Sequence, residues 1–207
     1  MAVEQVSALK QCLEWEADAE FGIPTPVKLL RQLQEDYPNR IRSFLEILED
    51  ADEAERNECL PLIFEVLYET AKQNDGASIR RIFMLCPDLS RDGYECYDQT
   101  LPLGSAIEHC AYDAIDAFVA VGCSLHTVSW TGYSAVEQAL NCDCGEEMVL
   151  HLLERAGEVT FGELALAWDE NPELAGKMMD QARMLPRVWS EEEEQAYPEL
   201  VVCLKRR

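Results

Sequence analysis

The chain has 207 residues, 48% of them hydrophobic, with 40 acidic against 17 basic side chains and a net charge of −23. That length supports a real core, in one domain or two small ones. The negative sign excludes direct nucleic-acid binding and opposes an anionic membrane surface, and no run of about eighteen apolar residues is present to cross a bilayer.

The first segment, MAVEQVSALKQCLEWEADAE, carries Glu4, Glu14, Glu16, Asp18 and Glu20. A secretory signal needs a basic start and an apolar middle, so a cytoplasmic location is expected. Thr25-Pro26 predicts a helix start, with Thr as cap and Pro in the first turn. Val27, Leu30 and Leu33 follow at helical spacing. Tyr37-Pro38 predicts its end, because the residue before Pro resists the α conformation. Ile41, Phe44, Leu45 and Leu48 form the next apolar stripe. Asp75-Gly76 and Cys86-Pro87 break the chain again, and Asn171-Pro172 opens a late helix. Ser190 followed by Glu191 to Glu194 predicts a capped helix whose acids suit the dipole. Glu199 to Leu204 is the one segment with strand-like alternation. Lys205-Arg206-Arg207 is too short for a nucleic-acid patch.

These signals predict short helices, mostly about 8 to 14 residues, that come in pairs. The expected fold class is all-α, a solenoid of stacked antiparallel helix pairs. Two segments align with each other. LPLGSAIEHCAYDAIDAFVAVGCSLH starts at Leu101, and SAVEQALNCDCGEEMVLHLLERAGEVT starts at Ser134, an offset of 33. One inserted residue in the second copy makes the offset 34 at the ends.

The two copies resemble ankyrin repeats. Leu101-Pro102-Leu103 and Ala106 match the opening Thr-Pro-Leu and Ala slots of that family. Ile115, Phe118-Val119 and Gly122-Cys123 match its second helix and closing Gly-Ala. In the second copy Gly132, Ser134-Ala135-Val136 and Ala139 fill the opening slots, and Val149, Leu152-Leu153 and Ala156-Gly157 the closing ones. The family's His is replaced by Gly104 and Glu137, and its terminal Gly by Ala156. The resemblance covers residues 96–160. Leu60 to Leu89 and Phe161 to Leu185 fit only as degenerate helix pairs, the latter as an atypical capping unit. The expected organisation is an N-terminal helical cap over 1–55, ankyrin-like repeats over 56–185, and a C-terminal acidic helix and tail over 186–207. Small side chains at Ala106 and Ala139 let first helices lie close. Leu103, Ile107, Ile115, Phe118, Val119 and Leu125 form apolar faces that stacking hides.

The resemblance also implies a binding surface. In the family, the turn between repeats projects as a finger, and the exposed side of the first helix lines a concave face. That would put Tyr97, Asp98 and Thr100 on one finger and Trp130, Thr131 and Tyr133 on the next. Glu108, His109 and Asn141 would line the helix face, with Cys142 beside them. Tyr and Trp give large rigid contacts and dominate interface hot spots. The alternative is that Trp130 folds back onto its own hairpin stem.

Charge is unevenly spread. Between Arg91 and Arg155 there are eleven acids and no Lys or Arg over 63 residues. Aromatic anchors among acids suit a basic protein surface and electrostatically steered association. The nine cysteines are scattered and odd in number. They are expected to be reduced core thiols rather than a disulfide framework. Cys142-Asp143-Cys144 with His151 lacks a fourth ligand, so no metal is expected. His109 and Cys110 are adjacent on a helix and point to different faces, so they make no catalytic pair. Phosphate-loop, dinucleotide and nucleophile-elbow motifs are absent. No cofactor is expected.

The expected function is therefore non-enzymatic: a binder, and through binding an inhibitor, of a basic partner protein such as a toxin or a nucleic-acid-handling enzyme. The alternatives are a nucleic-acid mimic that blocks DNA-binding proteins, and a scaffold or adaptor subunit.

Overall fold

Helical periodicity interrupted at short intervals by Pro, Asn, Asp and Gly gives fourteen helices and four two-residue strands among the described residues. The computed structural model describes residues 7–13, 16–17, 24–89, 101–126, 128, 132–184 and 190–206. The chain divides into two compact units, Met1–Gly132 and Tyr133–Arg207. No helix of the described residues is long and apolar enough to cross a membrane.

The first unit contains α1 (Ala8–Cys12), β1 (Glu16–Ala17), β2 (Pro24–Thr25), α2 (Val27–Glu35), α3 (Tyr37–Asp50), α4 (Glu53–Glu58), α5 (Leu60–Lys72), α6 (Gly76–Leu85), α7 (Pro102–Glu108) and α8 (Tyr112–Ala120). Three helices each pair with the one that follows: α2 with α3, α5 with α6, α7 with α8. The pairs also lie side by side in one order. First helices touch first helices, α2 on α5 and α5 on α7. Second helices touch second helices, α3 on α6 and α6 on α8. α5 is buried continuously from Ile63 to Ala71, with Glu65, Glu69 and Thr70 inside that run. Phe83 and Phe118 meet edge to face across α6 and α8, ring centroids 6.3 Å apart. Burial of each such side chain contributes about 1.5–3 kcal/mol.

The second unit contains α9 (Ala135–Asn141), α10 (Glu146–Ala156), β3 (Glu158–Val159), α11 (Phe161–Glu170), α12 (Pro172–Gln181), β4 (Arg183–Met184), α13 (Glu191–Ala196) and α14 (Pro198–Lys205). It repeats the plan: α9 with α10, α11 with α12, then α9 on α11 and α10 on α12. β3 and β4 pair in parallel, Glu158 opposite Arg183, and those two side chains form an ion pair at 2.7 Å. Tyr197 stands edge to face on Phe161 and donates to Asp169 at 2.8 Å, which ties the last two helices to α11.

Three of the turns between paired helices are built alike. Asn74, Cys110 and Asp143 have φ of 55°, 51° and 51°. In each turn that residue's N–H donates three residues back, and the next N–H donates five back: to Thr70 O at 3.2 Å, to Ala106 O at 2.9 Å and to Ala139 O at 3.1 Å. This double bond satisfies the last carbonyls of the first helix. The accepting residues are small and buried at 0%, 0% and 1% exposure. The α11–α12 corner differs. Asn171 sits at φ −150°, and its side chain caps Leu174 N–H at 3.2 Å. Left-handed φ costs a non-Gly residue roughly 1 kcal/mol. Cys110→Gly and Asp143→Gly are therefore expected to raise stability by about 1 kcal/mol or less. Asn74→Gly is expected to bring no gain, since Asn74 Oδ1 accepts from Ala114 N–H at 3.1 Å. Urea midpoints at constant slope check the contrast.

Several local expectations need correction. Thr25 lies in β2, and the residue before α2 is Pro26, which makes no side-chain cap. Tyr37-Pro38 does not simply end a helix: α2 stops at Glu35, and Tyr37-Pro38 begins α3. Pro in a first turn removes an N–H that has no intrahelical acceptor anyway. Residues 199–204 are helical within α14, not extended. Pro198 starts that helix, and Leu200 and Val201 are its buried residues. The cysteines are not uniformly core thiols. Cys59 and Cys86 are buried, whereas Cys110 and Cys142 are exposed. Burial pushes the Cys86 thiol up to about 11, so it stays protonated.

Candidate functional site

Of the nine residues expected to meet a partner, Tyr97, Asp98, Thr100, Trp130 and Thr131 lie outside the described residues. Glu108 is the last residue of α7 and His109 its C-cap; both side chains are exposed. His109 Nδ1 is 2.9 Å from Ser105 O. A carbonyl only accepts, so Nδ1 carries a proton in that bond. Asn141 is the corresponding last residue of α9 and is also exposed. Tyr133 is 45% exposed and precedes Ser134, the N-cap of α9.

The geometry therefore sorts the predicted residues by helix end. Glu108, His109 and Asn141 belong to the turns that follow first helices. Tyr133 belongs to the other end. Seven residues of α9, at about 1.5 Å each, put roughly 10 Å between Tyr133 and Asn141. The inner face of α7 is not available as a lining surface: Pro102 to Ile107 are all buried. What the turns offer instead is polar and acidic. Glu108, Asp113, Asp143 and Glu147, in or beside those turns, are exposed.

In the second unit, the α9–α10 and α11–α12 corners enclose a small pocket of about 260 Å³. Asp143, Glu146 and Glu170 stand on its lining, over Leu140, Val149 and Leu174. Glu146 is engaged by Lys177 Nζ at 2.9 and 3.0 Å. Hydrogen bonds donated to Glu146 and Glu173 hold the Lys177 ammonium above the usual lysine range. Among the described residues, no group of three His, Cys, Asp or Glu side chains is placed to hold a metal ion. That includes Cys142, Asp143, Cys144 and His151.

A larger groove, about 570 Å³, lies in the first unit between α3 and the α5–α6 turn. Its floor is a closed polar network. Asp75 accepts from Ser78 N–H at 3.0 Å, from Ser78 Oγ at 2.6 Å and from Tyr37 Oη at 3.1 Å. Burial, with the Asp75 carboxylate adding to it, lifts the Tyr37 phenol above its usual range. The phenol thus stays a donor at any working pH. Pro38, Leu45 and Ala77 supply apolar wall, and Arg42 stands on the lining. This groove was not legible in the sequence, because Tyr37 and Asp75 are 38 residues apart. The one readable signal was Asp75 three residues before Ser78, a helix-capping spacing. No protein-family model matches this sequence, and no curated protein and no solved structure matches it either.

Proposed function

We propose that this chain is a non-enzymatic binding protein whose two units are each stacks of ankyrin-like helix pairs, and that it engages, and by occupying inhibits, a basic surface on another protein. The observation that carries the reading is the repeated turn at Asn74, Cys110 and Asp143, with its matched φ and hydrogen bonds. A stack of repeats with interchangeable corners holds a fixed core and frees the turns for recognition. The sign of the partner follows from charge. The stretch from residue 92 to 154 has no Lys or Arg, and Glu108, Asp113, Asp143 and Glu147 in it are exposed. Such a field speeds encounter with a cation-rich surface and rejects nucleic acid. Tyr133 is the described aromatic with the area and rigidity of an anchor.

The immobilised full chain, exposed to host extract at low salt, is expected to retain basic proteins that elute as salt rises. With the retained protein purified, Tyr133→Ala is expected to weaken binding by about 2 kcal/mol. Glu108→Gln combined with Asp113→Asn is expected mainly to slow association and flatten its salt dependence. Calorimetry and stopped-flow association rates read the two effects. Retention that ignores salt, or rates unchanged in the double variant at low ionic strength, would remove the electrostatic reading. A partner bound with full activity would turn the inhibitor into a scaffold.

A further inference from the structure

We draw no further inference here: the strongest candidate, the small pocket between the α9–α10 and α11–α12 corners, rests on a cluster of acidic side chains, Asp143, Glu146 and Glu170, and nothing in the structure shows what ligand would occupy it.

Discussion

Gly76→Ala is expected to lower stability by about 3 kcal/mol, far more than an alanine in a helix normally does. Gly76 opens α6, where alanine would ordinarily be the better residue. Here a Cβ would stand 2.2 Å from the backbone oxygen of Asp113 and 3.2 Å from the Ala117 side chain. A backbone carbonyl at the start of α8 cannot rotate out of the way, so two helices must separate. Separation also pulls Asn74 Oδ1 from Ala114 N–H, which adds a lost cap of about 1 kcal/mol. Gly176 within α12 is the control. A Cβ there meets nothing within 4 Å, and Gly176→Ala is expected to gain about 0.5–1 kcal/mol. Urea unfolding followed by circular dichroism checks both. A Gly76→Ala variant as stable as the parent would mean that α6 and α8 do not approach as described.

Glu163→Ala is expected to cost about 3 kcal/mol as well, through a different mechanism. Glu163 is 5% exposed. It accepts from Thr160 N–H at 2.6 Å, which closes the capping box of α11. It also accepts from Ser134 Oγ at 2.5 Å. Ser134 is itself the cap of α9, its hydroxyl accepting from Glu137 N–H at 3.1 Å. One hydroxyl donates once, so Glu163 fixes where that proton points and joins the caps of two successive first helices. Truncation leaves the buried Ser134 Oγ and the half-buried Thr160 N–H without this acceptor. Glu193 makes the same local box with Ser190, but at the surface. Glu193→Ala is expected to cost no more than about 1 kcal/mol. Equal losses for the two glutamates would show that the buried link between α9 and α11 contributes nothing beyond ordinary capping.

The parts of this fold that could be read in the sequence were those written in short range. Asn171-Pro172 and Ser190 ahead of Glu191 to Glu194 mark helix starts within four residues, and the helices begin there. Leu103, Ile107, Ile115 and Phe118 were read as a face that stacking hides, and they are buried, whereas Val119 and Leu125 of the same face are only half-buried. Long-range chemistry was not legible. Nothing near Glu163 announces Ser134, and nothing near Arg42 announces the α5–α6 turn. The pair of residues 60–89 was hard to align because α5 has 13 residues where α7 has seven. Anchoring on Leu60-Pro61-Leu62 therefore misplaces the turn at Asn74. The strand-like reading of residues 199–204 failed because so short an alternation also fits one apolar side of a two-turn helix.

Asn74 carries a consequence for how the chain assembles. It terminates one helix with its backbone and starts another with its side chain, 40 residues further on. The acceptor is therefore synthesised, and can be seated in its corner, well before the donor at Ala114 exists. During translation each finished corner becomes a template edge for the hairpin that follows, which gives growth of the first unit a direction along the chain.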